Sequence, residues 1–155
     1  MEASYKALNK IIEIFLISIF ALLVLDVVWQ VFSRYVIGQS FSFTEEFARF
    51  ALIWLSLLGA AYLNGQQAHL SMDYFIRNLD GEDLIKRRRI IEFLMLAFAL
   101  IVLVIGGGNL VYTTFVLGQK SPAMNLSLGY VYSIIPISGL LIIFYSLYHI
   151  IHPKN

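Results

Sequence analysis

Four long apolar runs separated by short polar joints dominate this 155-residue chain, and they fix its solvent. A helix of ~17–25 residues, rising ~1.5 Å per residue, crosses a hydrocarbon core about 30 Å thick. The runs predict spanning helices near residues 11–37, 49–70, 90–118 and 126–151. They are continuous rather than alternating every second residue, which argues against barrel strands. In lipid every backbone amide needs a partner within the protein, and a helix supplies one from its own segment. The expected fold is an all-α integral membrane protein of four transmembrane helices, a single membrane domain over residues 1–155.

Composition narrows the function. Hydrophobic residues are 59% of the chain and charged ones 14%, with a net charge of +1. A nucleic-acid binder needs a clustered basic excess, so membrane lipids and not nucleic acid are the expected surroundings. Cysteine is absent, which excludes disulfides, iron–sulfur clusters and thiolate zinc sites. The longest polar stretch, residues 64–89, is too short for a soluble catalytic domain. Neither an enzyme nor a bound cofactor is expected. Lys6 and Lys10 precede the first run, and no A-x-A site follows it, so that run reads as a retained anchor helix.

Basic residues set the orientation. With a cytoplasmic N-terminus, Lys6, Lys10, Arg77, Lys86, Arg87, Arg88, Arg89 and Lys154 lie inside, and only Arg34, Arg49 and Lys120 outside. Positive charge favours the cytoplasmic side, so both termini are expected there, with a cytoplasmic loop near 71–89. The Lys86–Arg89 cluster then reads as a stop for the third helix against anionic headgroups.

The polar residues of the spans are the candidate site. Asp26, Gln30 and Arg34 fall on one helix face at i, i+4 and i+8. That stripe can pack on the second helix, contact another subunit or relay ions. Asp26 lies in the outer half of the bilayer, shallower than a relay requires. Gly38 can end the first helix, and Ser42 with Glu45 fits a capping box, with Thr44 as the alternative cap. Glu45 and Glu46 suit a first turn, and Arg49 is within reach of both. With Phe41, Phe43 and Phe47 nearby, residues 40–48 are expected to form a short amphipathic interfacial helix between the first two spans.

Farther along, Ser56, Gly59 and Ala60 form a small patch that permits close helix approach. His69 and Asp73 are spaced i, i+4 at the inner end. Gly106, Gly107 and Gly108 predict tight packing or a bend, with a ligand-lined break as the alternative. Pro136 removes a backbone donor and should kink the fourth helix.

The stretch Gln30-Val31-Phe32-Ser33-Arg34-Tyr35, followed by Thr44-Glu45-Glu46, Arg49, Trp54, Gly59-Ala60-Ala61, His69 and Asp73, resembles one family. It is the small membrane subunit of tripartite ATP-independent periplasmic (TRAP) transporters, the DctQ-like or Q subunit. Ser121-Pro122-Ala123, Leu126, Tyr132, Pro136 and Gly139 extend the resemblance over most of the chain after residue 25. One departure is Gly65-Gln66-Gln67, where such subunits often carry an arginine before the histidine.

The resemblance implies a non-enzymatic partner of a large subunit that translocates substrate and sodium in a bacterial inner membrane. A periplasmic binding protein would deliver an organic acid, a C4-dicarboxylate or sialic acid. The small subunit would be a scaffold, with Asp26, Gln30, Arg34, Glu45, Glu46, Arg49, Trp54, His69 and Asp73 as interface candidates. Two other classes compete: a haem-bearing anchor of a respiratory dehydrogenase using His69 and His149, and a stand-alone four-helix carrier. The chain lacks the inverted repeat with paired broken helices expected of a self-sufficient carrier.

Overall fold

In the computed structural model, which describes residues 2–66 and 82–151, four helices are long and apolar enough to cross a membrane. They are Tyr5–Ile37, Ser42–Gly65, Arg89–Val116 and Leu128–Ile150. The first comprises α1 (Glu2–Phe32) and a π-helical turn, Ser33–Ile37; the second is α2 (Ser42–Gly65). The third joins α3 (Glu82–Phe98), a π-helical segment (Ala99–Gly106) and α4 (Gly107–Val116). The fourth joins α5 (Leu128–Tyr132) to α6 (Ile134–Ile151). Among the described residues no strand forms, and one isolated bridge pairs Lys120 with Ser127. The chain is the all-α, four-span protein that its apolar runs require.

The first span shows how sequence becomes packing. Tyr5, Asn9, Ile12, Leu16, Ile19, Leu23, Asp26, Gln30 and Ser33 recur in steps of four and three and are buried or half-buried. That 3.5-residue repeat is the seam of a left-handed helix pair. Ile11, Ile17, Leu25 and Val28, off the seam, face outward. Only 6% of the span's most apolar stretch is buried, against 39% for the fourth span, so the first span is peripheral.

The helices stand in a row. α1 packs on α2, α2 on α6, and α6 on α3 and the following π-helical segment. The order across the row is therefore first, second, fourth, third. Lipid tails are as apolar as leucine, so close backbone approach and interhelical hydrogen bonds must hold such a row. Ala61, Ala99 and Ile142 form its core, with Leu103, Leu141 and Ile143 against them. A Cβ added to Gly139 would stand 2.7 Å from Leu103 Cβ and 3.3 Å from the Ala99 carbonyl. The third and fourth spans meet there because the residue is glycine.

Several expectations change in the structure. Residues 42–48 are the first turns of α2, not a separate interfacial helix, because the helix runs unbroken from Ser42 to Gly65. The Ser42–Glu45 capping box does not form. Ser42 already lies inside the helix and Phe41 is the cap residue. The Phe41 carbonyl accepts from the Thr44 and Glu45 amides and from Thr44 Oγ1 at 2.8 Å. Gly38, at φ 76°, ends the first span as expected.

Of the three consecutive glycines, only Gly107 is packed, where a Cβ would lie 2.6 Å from Ile135 Cγ2. Among the described residues the small patch at Ser56, Gly59 and Ala60 meets no other helix: Ser56 and Ala60 are exposed, and a Cβ on Gly59 would touch nothing within 4 Å. The break in the fourth span falls at Ser133, just after α5 ends at Tyr132. Tyr132 is the residue whose carbonyl the ring of Pro136 would strike in a continuous helix.

Candidate functional site

The polar side chains gather at the two ends of the row. At the hairpin end, where the first span joins the second and the third joins the fourth, Gln30 Nε2 donates to Asp26 Oδ2 at 2.5 Å and to the Thr44 carbonyl at 3.1 Å. The Asp26–Gln30 stripe thus packs on the second span. Arg34 Nη2 lies 3.4 Å from Glu45 Oε1, and their side chains are 65% and 44% exposed. Glu46 accepts from Ser121 Oγ and from the amides of Ala123 (3.2 Å) and Met124 (3.1 Å), which fixes the loop between the third and fourth spans. Charge-assisted bonds of this kind are the stronger ones in proteins. Arg49 is exposed and makes no close salt bridge to either glutamate among the described residues, although its charge favours the Glu46 carboxylate from a longer distance. Trp54 Nε1 donates to the Val131 carbonyl at 3.0 Å, tying α2 to α5.

The terminal end, where α1 begins and α6 finishes, is buried. His149 Nε2 lies 3.1 Å from the Gly65 carbonyl, and Nδ1 lies 3.3 Å from Glu92 Oε1. A carbonyl only accepts, so Nε2 carries a hydrogen. Nδ1 and Glu92 then share one proton, as imidazolium with carboxylate or as imidazole with carboxylic acid. Either way the pair has no net charge, which suits exposures of 5% for Glu92 and 8% for His149. Glu92 Oε2 is buried without a partner among the described residues.

Around that pair, Tyr5 OH donates to the same Gly65 carbonyl at 2.5 Å, and Tyr145 OH donates to Asn9 Oδ1 at 2.5 Å. Asn64 Nδ2 reaches the Ile142 carbonyl and Ser146 Oγ, each at 3.4 Å. The Tyr145 ring fits because residue 65 is glycine: a Cβ there would stand 2.9 Å from it. The Gly65 carbonyl is free to accept because it belongs to the last turn of α2. All four spans meet at this point.

Sequence reasoning named the residues that gather at the hairpin end; at the terminal end it named His149 only as a possible haem ligand and missed Glu92. Glu92 stands between Ile91 and Phe93 in an apolar run, and His149 lies in the last turn of another. An ionisable residue in each of two spans at the same end was the available signal. His69 and Asp73, expected at this end, lie outside the described residues.

An apolar groove of about 300 Å³ opens between the first span, α2 and α5, lined by Phe15, Ile19, Leu22, Phe50 and Trp54. Its walls offer no cation to an organic acid, which a binding site would need for orientation. The geometry is suited to holding helices together.

The family model for the DctQ component of tripartite ATP-independent periplasmic transporters matches residues 23–153. A protein assigned as a TRAP transporter small permease protein in Haemophilus influenzae is 30% identical over 92% of this chain and 86% of its own length. The sialic acid TRAP transporter small permease protein SiaQ of Vibrio cholerae is 24% identical over 90% of this chain and 79% of its own. A match over most of the chain, joined to four membrane-spanning helices, shows that this protein belongs to the DctQ family of TRAP transporter small permease subunits.

Proposed function

We propose that this chain is the fixed scaffold of its transporter. It anchors a large membrane subunit that carries substrate and sodium, and it offers its hairpin end to a periplasmic binding protein. The terminal end faces the cytoplasm of a bacterial cell and the hairpin end the periplasm, a reading supported by the distribution of basic residues. The cargo is an organic acid taken up with sodium, a C4-dicarboxylate or sialic acid. The chain itself catalyses no reaction.

One observation supports this reading above the others. Polar side chains that face a neighbouring span are engaged in ties between helices: Gln30 to Thr44, Trp54 to Val131, Asn64 to Ser146 and Glu92 to His149. A carrier needs polar groups lining a path, at mid-membrane depth. Here the charged groups lie toward the two ends of the spans. His149 has both ring nitrogens occupied, which leaves none for a haem iron in this arrangement.

Co-expression with a TRAP large membrane subunit from the same organism tests the proposal. A stable complex in detergent is expected, and Glu45→Ala or Arg49→Ala at the exposed hairpin end should impair assembly or coupling to the binding protein more than substitutions on the lipid face. A chain that purifies alone from cells making both proteins contradicts it.

A further inference from the structure

Asn109 sits where a solitary membrane protein has no use for it. Its side chain is exposed, with no hydrogen-bond partner among the described residues. It lies seven residues before the end of the third span, Arg89–Val116, and about 10 Å from that span's midpoint at ~1.5 Å per residue. The hydrocarbon half-thickness is about 15 Å, so the amide is at a depth where lipid tails offer nothing to bond.

Gly106 and Thr113, also exposed, share its stripe at i−3 and i+4. Gly106 is in ordinary right-handed helical geometry, at φ −63° and ψ −48°, so its backbone does not require glycine. A Cβ on it would meet only the Ile101 carbonyl at 3.6 Å, and one on Gly108 would meet nothing. Two helix-weakening glycines therefore have no packing reason among the described residues. Glycine beside a polar side chain is what a second helix needs in order to approach closely and bond across the contact. The outward faces of the first and fourth spans carry large apolar residues such as Val28, Leu25, Leu140 and Leu147.

We infer that the Gly106–Asn109–Thr113 stripe of the third span receives a transmembrane helix of the large subunit, with the Asn109 amide hydrogen-bonded to it. The inference rests on the scaffold reading and names the face it uses. The third span stands at the open edge of the row, opposite the first, so a partner helix can lie along it without disturbing the internal ties.

The chain contains no cysteine, so single-cysteine variants carry one label each. Asn109→Cys, Val28→Cys and Leu140→Cys, each bearing a benzophenone maleimide, are irradiated in membranes that also contain the large subunit. Asn109→Cys is expected to give an adduct with the large subunit, and the other two none. Asn109→Leu is expected to lower the copurifying large subunit about threefold or more, the scale of one interhelical amide bond, with the melting of the isolated chain unchanged. An adduct of Asn109→Cys with a second copy of this chain overturns the inference. So does an intact complex that gives no protein adduct, or one undiminished by Asn109→Leu. If the unaltered chain forms no complex at all, the scaffold reading fails and takes this inference with it.

Discussion

The two ends of the row use charge in opposite ways. At the hairpin end Arg34 and Glu45 pair at 3.4 Å while remaining 65% and 44% exposed. At the terminal end Glu92 and His149 pair at 3.3 Å with side chains only 7% and 6% exposed. The distances are nearly equal and the surroundings are not. An exposed pair is screened and gives up side-chain freedom to hold its geometry, whereas a buried pair leaves an uncompensated polar group when either partner is lost. The hairpin end is thus free to meet other proteins, and the terminal end closes the four spans on one another.

The sharpest way to break that contrast is at the terminal end. Glu92→Ala or His149→Ala should destabilise the chain by about 3–5 kcal/mol, the range for removing one member of a buried pair. Thermal unfolding in detergent measures it. Glu92→Gln should retain much of the stability, since its amide can donate to Nδ1 of a neutral imidazole. Melting of Glu92→Ala at the parent temperature would mean that the four spans do not depend on this junction.

Next in size are the glycine contacts. Gly139→Val places atoms where Leu103 Cβ and the Ala99 carbonyl already stand, so a loss of about 1–3 kcal/mol is expected. Gly59→Ala meets open space and should be neutral or slightly stabilising. Equal melting of the two variants would remove close approach as the reason for the fourth span's burial.

Smaller effects belong to the hairpin end. Glu46→Ala frees Ser121 and the Ala123 and Met124 amides, so limited proteolysis should cut the loop at residues 117–127 faster. Global melting should shift less than in Gly139→Val. Arg34→Ala should change folding stability least, by ~0.2–1 kcal/mol, as exposed pairs do. A large destabilisation by Arg34→Ala would erase the distinction between the ends.

Much of the fold was legible because the solvent dictates it. Apolar length locates the spans, and Gly38 marks the end of the first because its φ of 76° suits glycine. The caps were less legible: Ser42 has the right chemistry, but Phe41 takes the cap position, and Thr44 turns its hydroxyl to the Phe41 carbonyl. A capping motif states which groups could bond, and the chain's path decides which do. Glu92 and His149 were illegible as a pair because they lie 57 residues apart, in runs read one at a time. Their meeting depends on the fourth span lying between the second and third, and no local pattern encodes that order. The glycine run was half legible, since Gly107 answers to Ile135 while Gly106 and Gly108 pack on no other helix among the described residues.

A scaffold must be necessary for transport and insufficient for it. The most direct measurement is sodium-driven uptake into liposomes containing this chain alone, the large subunit alone, or both, with the binding protein supplied outside. Uptake is expected only where both membrane proteins are present. Uptake by this chain alone, or undiminished uptake by the large subunit without it, would contradict its role as the fixed support.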